Sequence, residues 1–390
     1  MDIPEDVIPL IQEYLGKKHF CASRLVSKAF TQPWQKLHSH VNYEGNNPLP
    51  KYILHVRVGN VGDNMIKDSR QLESITIHGE SSLTSKVFEN MDRMSYFRVM
   101  NNENLANDLF HYLPNLKNLH IDRCQFNNNV FIPFKSLETV TIYDCPNITS
   151  DCFQYFNRVK TLRFGGNVSD SNIINLSKIK QLFVRYGSVT DKGLAQISEI
   201  EKLHIGSNFI TDKGIANLTQ LTDLNCKNSP VSDHGLKMLT KLKKLSLSHN
   251  ALFKGTCFES IRKLKSLTMY DCKNFDSVNF RYLSNLTYLA ISNCQNINDN
   301  DFVHLVKLDG LTMDRCKSVS DKAFEYLTNL TTLVIRHCNQ ETLTDRAFEK
   351  LKRVQFLRID GCTQLSRNIL INLPQLNDIN VSREDFDYIL

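Results

Sequence analysis

Residues 189–194 read VTDKGL and residues 210–215 read ITDKGI, so nearly the same six residues return after 21 positions. Walking outward from that pair gives IKQLFVRYG, IEKLHIGSN, LTDLNCKNS and LKKLSLSHN, then LKSLTMYDC, LTYLAISNC, LDGLTMDRC, LTTLVIRHC and VQFLRIDGC. Earlier copies are LKNLHIDRC, LETVTIYDC and VKTLRFGGN, and residues 53–61, ILHVRVGNV, form one more degraded copy. The template is LxxLxIxx(C/N), followed by an aliphatic residue and Thr/Ser-Asp. Its first apolar position recurs at steps of 20 to 24 residues from Leu72 to Leu376. A unit this short cannot bury its own apolar face. Neighbours must cover it, so the chain is constrained to a stack of coils with a continuous core.

Each unit can be read physically. In Leu203-His204-Ile205, apolar and polar residues alternate, which predicts a short strand with both apolar side chains turned inward. Stacked units pair these strands in parallel, about 4.8 Å apart. The Thr/Ser-Asp pair offers side-chain oxygen to the free N–H groups of a short helix. In SDKAFEYLTNL, Phe324, Leu327 and Leu330 mark the inner face of that helix. Gly193 and Gly214 permit close packing at the DKG corner.

Seven of the eleven cysteines, Cys124, Cys145, Cys272, Cys294, Cys316, Cys338 and Cys362, occupy the ninth template position. Asn102, Asn167, Asn208 and Asn250 take the same slot. Asparagine there would bond loop backbone, and a thiol is a smaller substitute with a weak S–H donor. A metal ladder or redox site is the alternative. Stacked coils would run the Cβ vectors parallel, which suits packing better than disulfide pairing. The expectation is a buried capping thiol, with no metal and no cofactor.

The period and template resemble leucine-rich repeats. Cysteine in the ninth slot, followed by aliphatic-Thr/Ser-Asp, resembles the cysteine-containing subfamily found in many F-box proteins. The fold this implies is an α/β solenoid, a horseshoe with a parallel β ladder inside and short helices outside, of about 16 coils over residues 53–390.

No repeat fits the first forty residues, where residues 3–30 read IPEDVIPLIQEYLGKKHFCASRLVSKAF. Pro4, Glu5 and Asp6 suit the first turn of a helix. Val7, Ile8, Ile11 and Leu15 form an apolar stripe that Gly16 ends. A second helix would carry Phe20, Leu25, Val26 and Phe30. A plain helical cap for the stack is one reading. The order from Pro4 to Phe30 also resembles an F-box, with Ile3 in place of the usual leucine and Phe30 in place of the usual tryptophan. Pro9 should kink or split the first helix. This gives a three-helix F-box over 1–40, a linker over 41–52 and the repeats from 53 to 390. The resemblance implies a substrate receptor of a cullin–RING (SCF-type) ubiquitin ligase. Its F-box would dock on a Skp-type adaptor through Pro4, Val7, Ile8, Ile11, Leu15, Phe20, Leu25 and Val26. The repeats would hold an unknown protein substrate. The rival reading is a non-catalytic repeat scaffold or inhibitor with no ubiquitin role.

Polar residues flanking the apolar strand positions should face outward on the ladder. Among them Tyr143, Asp144, Arg163, Phe183, Arg185 and Tyr186 form the most aromatic and cationic stretch, the expected substrate contact; Arg and Tyr are typical hot-spot types. His120 and His204 are lone histidines on that face. An enzyme is not expected, because the repeats consume the chain and no GxGxxG, GxSxG or HExxH interrupts them. The net charge of +6 is spread without a basic tail or run, which argues against nucleic acid as the main partner. No apolar run is long enough to span a bilayer, and the acidic start is the wrong charge for a secretory signal. Free cysteines in an unexported chain suit a reducing compartment, the cytoplasm or nucleus, or that of a host cell if the source is a pathogen or virus.

Overall fold

The computed structural model describes residues 41–43, 48–49 and 53–381. The F-box segment, with all eight residues assigned to adaptor docking, lies outside the described residues, as do the last nine residues. The described chain forms two compact units, one ending at Arg158 and one beginning at Val159.

The first unit is a parallel ladder of β1 (Val41–Tyr43), β2 (His55–Val58), β3 (Ser74–His78), β4 (Tyr96–Asn102), β5 (Asn118–Cys124) and β6 (Thr139–Tyr143). Each strand pairs with the next. β1 falls in the stretch read above as linker, yet Val41 stands opposite Val56 in register. The template missed it because Val41-Asn42-Tyr43 lacks the leucine spacing. Phenylalanines fill this core edge to face, with ring centroids 5.7 Å apart for Phe88–Phe97, 5.4 Å for Phe97–Phe110 and 5.3 Å for Phe110–Phe126.

The second unit repeats the plan with β7 (Thr161–Val168), β8 (Gln181–Gly187), β9 (Lys202–Gly206), β10 (Asp223–Lys227), β11 (Lys244–Ser248) and β12 (Ser266–Tyr270). It continues with β13 (Tyr288–Ser292), β14 (Gly310–Asp314), β15 (Thr332–Arg336), β16 (Phe356–Asp360) and β17 (Asp378–Val381). Leu203, Leu224, Leu245, Leu267, Leu289, Leu311 and Leu333 stack in strict register and are buried. Phe324, Leu327 and Leu330 are buried as expected, but the segment is a 3-10 turn over Asp321–Tyr326. Their spacing of three is the period of that tighter helix.

Coils are joined by a latch that the template shows only in part. The Thr211 hydroxyl accepts from its own turn, at Lys213 N (3.3 Å), as a helix cap should. The aspartate beside such a cap serves the next coil instead. Asp191 accepts from Thr211 N at 2.8 Å and from Thr211 Oγ1 at 2.6 Å. The same pair of bonds joins Asp63 to Thr84 in the first unit. In the second it joins Asp170 to Thr190, Asp212 to Ser232, Asp299 to Ser320 and Asp321 to Thr344. A charged acceptor strengthens both bonds. The latch also explains the glycines: a Cβ on Gly193 or Gly214 would fall on the carboxylate of Asp170 or Asp191. In the latched 3-10 turns the corresponding residue is larger, Val87, Ala323, Ala347 or Ile369.

Two assignments to the ninth slot are corrected. Asn102 and Asn250 are buried there and bond loop backbone, with Asn102 Nδ2 donating to Gly79 O (2.8 Å) and Asn250 Nδ2 to Val231 O (2.7 Å). Asn208 is exposed, and Ser207 is buried in its place, its Oγ donating to Val189 O at 2.7 Å. The reason is length: Ile200 to Ile210 is one residue shorter than Leu242 to Phe253, so the slot moves back by one. Asn167 is exposed because the β7–β8 register shifts between Phe164 and Asn167, which turns Val168 inward.

Asp191→Ala removes both acceptors from Thr211 and should cost about 1–3 kcal/mol, whereas Asp191→Asn, which keeps one oxygen, should cost less. Urea denaturation reads this as a lowered midpoint at unchanged slope. Gly214→Ala should lose a similar amount, about 1–3 kcal/mol, by overpacking. A midpoint untouched by Asp191→Ala would remove the latch from the account.

Candidate functional site

On β2 to β16 the second and fourth residues are buried, so the first, third and fifth form outward columns. At the end of a strand or just beyond it, the residue before the ninth slot is left-handed in coil after coil. In the first unit these are Asn101 (φ 53°), Arg123 (φ 50°) and Asp144 (φ 49°). In the second unit they are Asn228, His249, Asp271, Asn293, Arg315 and His337, with φ between 50° and 56°. Left-handed backbone costs a non-glycine residue roughly 1–2 kcal/mol. It turns the next side chain, Cys or Asn, into the coil, and it lines the polar residues into a rim.

In the first unit, Arg98, His120 and Thr141 stand side by side on the outward face. Burial, reinforced by the Arg98 charge, lowers the His120 pKa to about 4, so its imidazole is neutral at pH 7. Of the residues expected to contact substrate, Tyr143 ends β6 half-buried, and Asp144 is exposed on the rim, 3.7 Å from Arg123 Nε.

The other four expected contacts belong to the second unit. Arg163 and Phe183 are brought together: the guanidinium carbon sits 3.9 Å from the ring centroid. Phe183 then meets the His204 ring edge to face at 4.6 Å, and His204 Nε2 lies 2.9 Å from Asp223 Oδ1. These four side chains make one row across β7–β10. Arg185 and Tyr186 lie further along β8, exposed and outside the row. Asp223 was missed because the three-residue LxI frame starts one residue too late; the strand begins at template position three.

A denser cluster occupies β12–β16. Asp314 is its hub: Oδ2 accepts from Arg315 Nη1 and Ser292 Oγ, each at 3.0 Å, and Oδ1 lies 2.9 Å from His337 Nδ1. Asp360 Oδ2 accepts from Arg336 Nε (3.1 Å) and Arg358 Nε (2.8 Å). Tyr270 and Tyr288 stand exposed beside them, 40% and 38% accessible. Burial, then the neighbouring Tyr288, pushes the Tyr270 hydroxyl up from its ordinary pKa. Tyr288, again at the first strand position, escaped the sequence frame in the same way as Asp223. Arg358 and Asp360 sit at positions the template does mark.

The ten described cysteines are buried and form no disulfide with one another. Slot thiols donate to the carbonyl two residues earlier, as Cys145 Sγ does to Tyr143 O (3.1 Å) and Cys338 Sγ to Arg336 O (3.3 Å). Burial pushes Cys124 and Cys272 up to about 12 and Cys145 to about 11. Such thiols stay protonated and are poor nucleophiles. Among the described residues no group of three or more His, Cys, Asp or Glu could hold a metal ion. The His204–Asp223 pair has a phenyl ring against its other face rather than a hydroxyl or thiol, so it lacks a nucleophile to activate.

A family model for the BspA type leucine-rich repeat region matches this chain in six copies, over residues 13–132, 60–176, 205–330 and 273–389. The chain belongs to that leucine-rich repeat family. Its first matched stretch begins at residue 13, inside the segment read as an F-box. A leucine-rich repeat protein of Leptospira interrogans shares the fold, at 16% identity and a TM-score of 0.56, over 87% of this chain and 94% of that one. Internalin C2 of Listeria monocytogenes is 25% identical over 48% of this chain and 84% of its own, with a TM-score of 0.41. TLR13 in its complex with ssRNA13 is 13% identical over 86% of this chain and 71% of its own, with a TM-score of 0.47. A search of curated proteins gave no match. Among the described residues no helix is long and apolar enough to cross a membrane.

The thiol shifts set a pH dependence. An unfolded cysteine titrates near about 8.5, while the folded thiols hold their protons to about 11–12. Their contribution to stability is therefore complete below the unfolded value and is lost as pH rises through the folded one. Urea midpoints should fall between about pH 8.5 and 10.5. A Cys124→Ser, Cys272→Ser double variant should show a shallower fall than the parent.

Proposed function

We propose that this chain is a non-catalytic binding protein that holds a protein partner on the outward strand face of its second unit, over β12–β16. The observation that carries this reading is the gathering of exposed Tyr270 and Tyr288 with half-exposed Arg336 and Arg358 at outward strand positions of one ladder, around Asp314 and Asp360. Aromatic and arginine side chains dominate binding energy at protein interfaces. Asp360 holds both cationic members in place, so little side-chain freedom is lost on docking. Arg336 and Arg358 are also only partly engaged, through Nε, which leaves the outer guanidinium nitrogens to meet carboxylate or carbonyl groups.

A photo-crosslinker placed at Tyr288 tests this, with a second at Ile371, which is 80% exposed. The partner should be captured from Tyr288 and not from Ile371. Arg336→Ala with Arg358→Ala should weaken its binding by about 2 kcal/mol, roughly thirtyfold. Equal capture from both positions would refute the strand face as the docking surface.

The finer reading, a substrate receptor docking on a Skp-type adaptor, is supported by the order of residues 4–30 and by the cysteine-slot repeats that follow it. Co-expression with such an adaptor separates it from a helical cap. A complex lost on deleting residues 1–40 favours the receptor, and no complex from folded protein favours the repeat scaffold.

A further inference from the structure

Along the second unit, the residues just before each strand form an edge on which charges are mostly answered. Lys180 Nζ lies 3.5 Å from Glu199 Oε2, Lys307 Nζ donates to Asn285 (2.9 Å) and Lys352 Nζ to Asn372 O (3.2 Å). The entry to β11 and β12 departs from this. Lys243, Lys244, Lys263 and Lys265 are all exposed there, and none lies in an ion pair among the described residues. Lys241, beside them, is answered only by an amide, Gln220 Oε1 at 2.6 Å, as Lys307 is. Of the carboxylates on flanking coils, Asp223, in register with Lys244, is held by His204, Glu259 lies 3.8 Å from Arg262, and Glu201 stands two coils from Lys243 in the same column, beyond Thr222.

The lysines are adjacent in space as well as in sequence. Lys265 N donates to Lys243 O at 2.8 Å, so the two side chains leave neighbouring coils. Coils lie about 4.8 Å apart, inside the roughly 8 Å over which salt screens a charge. Like charges so placed in a ladder are destabilising. The block has neutral margins, Gln220 and Thr222 on one side and Asn285 and Thr287 on the other. A cationic block that the fold leaves unanswered, bounded by amides and hydroxyls, has the character of a surface completed by a partner.

We propose that the entry edge of β11 and β12 is a docking surface for an acidic segment of a partner protein. It adjoins the strand face, since Lys244 opens β11 in the same column as Ser266 and Tyr288, but it does not depend on the role assigned to that face. Two coils give a width of about 10 Å, that of a single extended or helical segment. Lysines supply point charges rather than the bidentate forks suited to phosphate. The one arginine nearby, Arg262, lies over the Tyr282 ring at 5.3 Å. One exposed ring, Tyr288, adjoins the lysines, its N–H donating to Lys265 O at 3.0 Å, and a single ring falls short of the series of stacking platforms used for single-stranded nucleic acid.

The test uses the full chain and two fluorescent probes of equal length and charge, a short polyglutamate peptide and a single-stranded oligonucleotide. Lys243→Glu with Lys265→Glu is compared with Lys350→Glu and Lys352→Glu, which change net charge equally elsewhere. Lys243→Gln with Lys265→Gln guards against a folding defect in the reversed pair. Polyglutamate should bind the parent chain and lose about tenfold or more in the edge variants, with under about twofold loss in the control. No binding by the parent, or equal loss in edge and control variants, overturns the proposal. Tighter binding of the oligonucleotide than of polyglutamate at the same salt overturns the assignment to a protein segment.

Discussion

No coil can cover its inward apolar pair by itself, and stacking on the next coil is the need that the rest of the described structure serves. The in-register leucine stack from Leu203 to Leu333 is the result. Stacking in register is costly to misplace, because a one-residue slip would turn every inward side chain outward. A parallel ladder with a crossover in every turn also leaves many loop groups to satisfy. Three recurring devices do so: the aspartate latch, the left-handed residue after the strand, and the Cys or Asn slot behind it.

The devices share one logic, in which a side chain of one coil is spent on the backbone of its neighbour. Asp191 serves Thr211 of the next coil, and Asn250 reaches back to Val231 of the preceding one. The cost of left-handed backbone at residues such as Arg123 and His337 is offset because it delivers the slot residue into the core. That backbone also aligns a polar rim, so a folding requirement produces a surface for recognition. Cysteine in the slot is then a packing choice, and burial keeps its thiol unreactive.

On the outward face, residues free of the folding requirement have become a patterned surface. The row from Arg163 to Asp223 satisfies itself, each member meeting the next. The β12–β16 cluster keeps aromatic rings and guanidinium groups available around two fixed carboxylates. The β11–β12 entry carries charge with no internal answer. These are three different states of one repeated surface, and the difference between satisfied and available side chains is what separates a structural row from a docking one.

The sequence by itself determined the period, the inward and outward alternation, and the identity of the core. Those follow from spacing, since Leu203 and Ile205 can share a face only on a strand. It also determined the slot, where Cys and Asn recur at the same distance from the leucines. Tertiary structure decided which side chains meet across coils, because those contacts join residues about one period apart. Their alignment depends on each coil's length. A single missing residue between Ile200 and Ile210 put Ser207 where Asn208 was expected. The latch was legible only by half for the same reason. Thr211 beside Asp212 looks like one cap within a coil, whereas stacking gives Thr211 to Asp191 and Asp212 to Ser232.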